Sequence, residues 1–124
     1  MIKSNELRLG NWVLLDWENT YRRVNLNTLC YITRSEKLGK KHPFKPIPLT
    51  EEILLKCGFV YIESKNVYKL YLPNDNQLLI GFNFQNELRL YYKVFNIDLV
   101  EIKHLNQLQN LYFALTNEEL TITL

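Results

Sequence analysis

The chain has 124 residues, of which 47% are hydrophobic and 23% are charged, and its formal net charge at pH 7 is +2. This composition is ordinary for one globular domain, and it excludes disordered, fibrous and low-complexity classes. No run of 18 apolar residues occurs, so we expect no transmembrane helix and no membrane partner. The first residues, MIKSNELRLGNW, also lack the apolar centre of a signal peptide, which predicts a cytoplasmic protein.

Charge is distributed unevenly along the chain. Up to Pro48 there are nine basic and four acidic residues, a net of +5, whereas the remainder has six basic and nine acidic residues, a net of −3. An anionic partner is therefore expected to prefer the N-terminal part.

Two short strands are predicted first. Residues 7–15, LRLGNWVLL, nearly alternate apolar and polar side chains, and DWENT follows as a turn. Residues 21–33, YRRVNLNTLCYIT, are predicted as one long strand or two short ones, because Val24, Leu26, Cys30 and Ile32 share a phase. Such strands without an intervening helix predict an SH3-like barrel or a small bent sheet. Residues 34–48 contain Gly39 and three prolines, which predict a loop.

The segment PLTEEILLKCGF predicts a helix of about two turns. Thr50 is a preferred N-cap, Leu49 and Leu54 occupy the staple positions around it, and Gly58 supplies a left-handed residue at the end.

A β-meander of three or four strands is predicted next, from FVYIESKNVYKLYL, QLLIGFNF and ELRLYYKVF. The first of these segments is predicted as one long strand or as two strands interrupted at residues 64–66. Turns are expected at residues 73–76 and 85–86. One face alternates apolar residues, and the other carries Tyr71, Tyr91 and Phe95 beside charged residues. That second face either packs on the N-terminal sheet or binds a partner.

The stretch HLNQLQNLYFALTNEEL predicts a C-terminal helix, ending near Thr116 and Asn117, with its amides on the exposed face. It is interpreted mainly as an amphipathic helix that closes the sheet. A second interpretation uses the row His104, Gln107 and Asn110, whose spacing of three makes them neighbours that could bind a ligand. The last residues, TITL, could add a short strand.

Together these elements predict an α+β fold, mainly antiparallel. Residues 1–48 would form a β subdomain with a basic loop and residues 49–124 an α-β-β-β-α subdomain, joined in one compact unit.

Three blocks of the chain, ELRLGNWV, PIPLTEEILLKCGF and HLNQLQNLYFALTNEEL, resemble a family of small proteins encoded by gut bacteria and their phages. The blocks cover about a third of the chain and span nearly its whole length. The resemblance implies a phage or mobile-element accessory protein, and it carries no established activity and no functional residue.

Motifs for catalysis are absent from the sequence. It has no Walker loop, GxGxxG, HExxH, GxSxG or EF-hand loop, and the paired carboxylates Glu51-Glu52 and Glu118-Glu119 are too close in sequence to converge on one bond. His42 lies in the basic loop and His104 at a helix end, and neither is placed as a base. The two cysteines and two histidines are too scattered for a zinc site, so we predict reduced thiols, no metal, no cofactor and no enzyme.

The basic residues of the N-terminal part are either a solvated surface or an anion site. The candidates for an anion site are Arg22, Arg23 and the run Arg34, Lys37, Lys40, Lys41 and Lys45, and Tyr21 and Tyr31 could stack on a base. From these, Arg22, Arg23, Lys40 and Lys41 are chosen for phosphate contact and Tyr31 for stacking. A net charge of +2 argues against nucleic acid, which usually requires many phosphate contacts.

The leading hypothesis is therefore a non-catalytic accessory protein that sequesters a small phosphorylated ligand, with a host nucleotide immune signal as the specific suggestion. The first alternative is a protein–protein interaction module that inhibits a host or phage protein through the second sheet face. The second alternative is weak nucleic-acid binding. A homo-oligomer is compatible with each of them.

Overall fold

The computed structural model describes residues 2–73, 77–82, 88–92, 97–122 and 124, with side chains of 82, 88–92 and 97–101 left undescribed. The fold is α+β and antiparallel, as predicted. The chain divides into two units: unit 1 comprises Met1–Pro48 and His104–Leu111, and unit 2 comprises Leu49–Lys103 and Tyr112–Leu124.

Unit 1 contains a three-stranded antiparallel sheet, one complete helix and the first part of the C-terminal helix. After a 3₁₀ turn at Ser4–Glu6 come strands β1 (Trp12–Leu15) and β2 (Thr20–Arg23), helix α1 (Leu26–Lys37) and the two-residue strand β3 (Phe44–Lys45). The strand order is β2-β1-β3. The predicted turn at 16–19 is confirmed, with Asn19 at φ +51°.

The strand predicted over residues 21–33 is wrong beyond Arg23, because α1 occupies Leu26–Lys37. The side chain of Asn25 accepts a hydrogen bond from the Thr28 amide at 2.9 Å, and the Thr28 hydroxyl accepts one from the Asn25 amide at 3.4 Å. This capping box satisfies two amides that strand pairing would otherwise have to satisfy. Leu26 and Cys30, two of the four residues whose alternation predicted a buried strand face, are exposed.

The strand predicted over residues 7–15 is confirmed only for its second half, Trp12–Leu15. Of the predicted SH3-like barrel or small bent sheet, the N-terminal part shows a small antiparallel sheet, and α1 makes this part α+β rather than all-β. Its core lies between the sheet and α1, where the following residues pack together: Ile2, Leu7, Val13, Val24, Leu29, Ile32 and Phe44.

Unit 2 begins with helix α2 (Glu51–Lys56), and its predicted caps are confirmed. The Thr50 hydroxyl accepts a hydrogen bond from the Ile53 amide at 3.3 Å, and Leu49 and Leu54 are both buried. Gly58 has φ +96°, and the Phe59 amide returns to the Leu54 carbonyl at 3.1 Å, which ends the helix as a Schellman motif does.

The meander of unit 2 has five strands, not three or four. They are β4 (Val60–Ile62), β5 (Val67–Tyr71), β6 (Gln77–Phe82), β7 (Leu88–Tyr92) and β8 (Ile97–Glu101), paired in chain order. The predicted alternative of two strands interrupted at residues 64–66 is confirmed, with Asn66 at φ +53° in the turn between β4 and β5. The IDLVE strand was not predicted. The turn predicted at 85–86, and residues 74–76 of the turn predicted at 73–76, lie outside the described residues.

Helix α3 (Leu105–Thr116) is confirmed, and Asn117 at φ +59° ends it. In unit 1 the Leu105 amide donates to the Ile47 carbonyl at 2.9 Å, which holds the beginning of the helix. The suggested C-terminal strand is not present at residues 121 and 122, although Leu120 and Ile122 are buried.

Candidate functional site

A series of basic side chains runs from the last turn of α1 into the following loop. Arg34, Lys37, Lys40 and Lys41 are all exposed, and none of them forms an ion pair within the described part of the chain. The basic side chains in the last turn of α1, Arg34 and Lys37, complement the negative end of the helix dipole. Their positive charge is otherwise available to an anion from solution.

Glu36 is the one carboxylate in this series, and it is engaged elsewhere. It accepts hydrogen bonds from the Ser4 amide at 2.6 Å and from the Ser4 hydroxyl at 2.8 Å. These bonds, with smaller contributions from His42 and Lys3, lower the pKa of Glu36 below its ordinary value.

His42 is a fixed part of the loop. Its ring is 7% exposed, and the Phe44 amide donates to Nδ1 at 3.3 Å. Nε2 must then carry the proton that it donates to the Ile2 carbonyl at 2.8 Å. Because both ring nitrogens are used, His42 is placed to hold the loop and not to act as a base.

Lys41 and Lys45 both line one concavity. They line it together with His42 and Pro46, and its volume is about 380 Å³. The ammonium of Lys45 lies 3.1 Å from a carboxylate oxygen of Asp16, with both side chains about half exposed. A second concavity of about 360 Å³ lies along α1, lined by Leu29, Cys30, Thr33, Arg34 and Lys37.

The predicted phosphate contacts Arg22 and Arg23 do not act on one ligand surface. They are consecutive in β2, so their side chains point to opposite faces of the sheet. Arg22 forms an ion pair with Glu18 at 2.6 Å, while the guanidinium of Arg23 lies 5.1 Å from the centre of the Trp12 ring. This separation follows from strand alternation alone.

The predicted stacking residue, Tyr31, lies on α1 and is 46% exposed. Its ring meets that of Phe44 edge to face, with centroids 6.0 Å apart. The side chain of Phe44 shares the core face of the sheet with Val13, whereas Arg23 lies on the opposite face. Tyr31 and Arg23 therefore lie on different sides of this sheet.

The row His104, Gln107 and Asn110, the second predicted ligand site, makes hydrogen bonds within unit 1. Gln107 accepts a hydrogen bond from the His104 amide at 3.0 Å, half of a capping box. Asn110 accepts from the Asn11 side chain at 2.9 Å and donates to the Glu6 carbonyl at 3.1 Å.

Two further amides of α3, predicted to be exposed, are buried. Asn106 and Gln109 are each 2% exposed. Asn106 donates to the Glu6 carbonyl at 3.2 Å, and Gln109 accepts from the Trp12 amide at 2.9 Å. The loop before β1 has carbonyls and amides outside any ladder, and these side chains satisfy them.

In unit 2, the second sheet face is partly open. Tyr71 is 65% exposed, with the ammonium of Lys69 5.5 Å from its ring centre, and Val60 is 54% exposed. The other two aromatic residues predicted there are outside the description: Phe95 itself, and the side chain of Tyr91.

Potential catalytic groups of unit 2 are held in their neutral forms. Burial raises the pKa of the Cys57 thiol to about 12. Burial, and then a hydrogen bond with Glu51, raise the pKa of Tyr68 to about 12. In the described ranges, no three His, Cys, Asp or Glu side chains are grouped so that they could hold a metal ion.

None of the helices in the described ranges has both the length and the apolar composition needed to cross a membrane. In comparisons with protein-family models, curated proteins and solved structures, no match to this chain was found.

Proposed function

We propose that unit 1 binds a small phosphorylated ligand without transforming it. The observation that carries this proposal is that Lys41 and Lys45 both line one concavity of about 380 Å³. That volume is within the usual range for small-molecule sites, and two ammonium groups suit one or two phosphates.

The two lysines would contribute differently to binding. Lys41 forms no ion pair within the described residues, whereas Lys45 is shared with Asp16. An exposed pair of this kind contributes at most about 1 kcal/mol, so a phosphate can displace the carboxylate at little cost. Asp16 would then compete with the ligand for Lys45.

The absence of a reaction is inferred from the groups around the concavity. His42 uses both ring nitrogens in the loop, and lysine ammonium groups supply charge and hydrogen-bond donors. Binding alone would suit sequestration, and together with the resemblance to phage-encoded proteins it favours capture of a nucleotide signal of the host.

Calorimetry with inorganic phosphate and a nucleotide panel tests the proposal. Lys41→Ala should weaken binding about 10-fold or more, since a charge-assisted hydrogen bond contributes ~1.5–3 kcal/mol. Lys65→Ala is the matched control, because Lys65 is an exposed lysine in the β4–β5 turn of unit 2. Asp16→Asn should strengthen binding, because it frees Lys45. A panel with no ligand tighter than ~1 mM, a free energy of only ~4 kcal/mol, would refute the site.

The second candidate function is protein–protein interaction through unit 2. The register places the side chains of Val60, Ile62, Val67, Leu79 and Tyr71 on one sheet face, and none of the five is fully buried. Exposed apolar faces with an aromatic residue commonly anchor interfaces. If this face is the site, Tyr71→Ala should abolish capture of a partner while Lys41→Ala leaves it unchanged; sedimentation would identify a second copy of the chain as that partner.

A further inference from the structure

One face of the three-stranded sheet in unit 1 carries aromatic and basic side chains together. Trp12 of β1 pairs with Arg23 of β2. Leu14 of β1 pairs with Tyr21 of β2 on one side and with Lys45 of β3 on the other. Residues directly opposite one another in antiparallel strands share a face. These five side chains therefore form one surface, which we call the aromatic-basic face.

The aromatic-basic face is opposite the core. Helix α1 packs on the other face, through Leu29 and Ile32 against Val13. Tyr21 is 45% exposed, and all four residues of β2 are exposed.

Lys45 links this face to the concavity of the proposed function. Its backbone pairs with Leu14 in the sheet, and its side chain also lines the concavity with Lys41. Tyr21 lies two strands away from Lys45 in the same row, a separation of about 10 Å given the strand spacing of ~4.8 Å. A ligand bound at Lys45 can therefore extend over Leu14 towards Tyr21.

We propose that the aromatic-basic face is a stacking platform for the base of a nucleotide whose phosphate is held at Lys45 and Lys41. This proposal rests on the proposed function and names its ligand class. A planar base gains from stacking on the Tyr21 ring and on the Arg23 guanidinium, which Trp12 already supports from 5.1 Å. An inorganic phosphate or a sugar phosphate would leave this surface unused.

The experiment compares AMP, ribose 5-phosphate and adenosine by calorimetry on the full chain. AMP should bind about 5- to 150-fold more tightly than ribose 5-phosphate, the fold-change that corresponds to ~1–3 kcal/mol for one stacked base. Tyr21→Ala should remove most of that difference and leave ribose 5-phosphate affinity unchanged, whereas Tyr21→Phe should keep it. Tyr61→Ala is the matched control, because Tyr61 is another exposed strand tyrosine and lies in β4 of unit 2.

Fluorescence gives an independent readout, because the chain has two tryptophans. Trp17 is 76% exposed in the β1–β2 turn, so Trp17→Phe leaves Trp12 as the reporter. AMP should change the Trp12 emission of this variant, and ribose 5-phosphate should change it much less.

The outcomes separate the two proposals. Equal affinity for AMP and ribose 5-phosphate, both lost in Lys41→Ala, would overturn the platform and keep the phosphate site. AMP binding that depends on Tyr21 and not on Lys41 would overturn the phosphate site and keep a base platform. A short oligonucleotide that binds much more tightly than AMP, with the same dependence on Tyr21, would support the platform and identify a nucleic-acid strand as the source of the base.

Discussion

Replacing Gln109 by Met should destabilise unit 1 strongly, although the residue lies in a row of amides that the sequence marks as solvent-facing. Gln109 is 2% exposed, and its carbonyl oxygen accepts from the Trp12 amide at 2.9 Å and from Asn11 at 3.5 Å. Its amide nitrogen donates to the Gly10 carbonyl at 3.5 Å. Methionine has a similar length and shape and cannot replace these hydrogen bonds.

The magnitude follows from the groups left without partners. A buried amide that loses its acceptor costs ~1–3 kcal/mol, and the two contacts at 3.5 Å are at the limit of a hydrogen bond and add little. We expect a loss of about 2–3 kcal/mol in the free energy of unfolding. With a urea m-value of ~1–3 kcal/mol/M, the midpoint should fall by roughly 0.7–3 M.

The assay is equilibrium urea unfolding followed by circular dichroism, and Gln107→Met is the matched control. Gln107 is on the same helix and is exposed, and its side chain accepts a hydrogen bond from the His104 amide at the first turn. Its replacement should cost less than ~1 kcal/mol, the range of a lost helix cap. Equal midpoints for the two variants would refute the assignment of Gln109 as a buried connection between α3 and the loop before β1.

Three further predictions concern other parts of the chain. Iodoacetamide at pH 8 should label exposed Cys30 and spare Cys57, whose pKa burial raises to about 12, and labelling of both thiols in the folded protein would contradict that burial. Because the pKa values of Cys57 and Tyr68 are raised to about 12, their contribution to stability is fully present below pH ~9 and is lost as the pH rises towards 12. Urea unfolding at pH 8 and at pH 11 should show this loss of stability, and Tyr68→Phe should make the loss smaller. Asn25→Ala should cost ~1 kcal/mol of stability by removing the capping box, and an unchanged urea midpoint would argue against a helix beginning there.

The sequence predicts best where the determinants are local. Helix α2 is specified by Thr50 at one end and Gly58 at the other, within nine residues, and both act as expected. Helix α1 was missed because its first cap pairs Asn25 with Thr28, a less familiar combination than a serine or threonine followed by glutamate. Its buried stripe is also narrow, since Ile32 and Ser35 are its buried residues.

The candidate site was predicted in part for a similar reason. Lys41 and Lys45 both belong to the basic run that the sequence shows, but only Lys41 was chosen, because the place proposed for Lys45 depends on its position opposite Leu14 in the sheet. The role of Trp12 depends on pairing with Arg23, eleven positions away. The buried amides of α3 find their partners about a hundred positions earlier in the chain, which no local pattern reveals.

The discontinuous composition of unit 1 has a consequence for synthesis on the ribosome. Residues up to Pro48 are made first, but the amides and leucines of α3 that complete unit 1 follow only after the whole sheet of unit 2. The 63 residues from Pro48 to Leu111 take roughly 3–13 s to synthesise at ~5–20 residues per second. During that interval the backbone groups of Glu6 and Trp12 that the α3 amides satisfy stay open to water, so the nascent N-terminal segment lacks part of its final hydrogen bonding until the last helix is made.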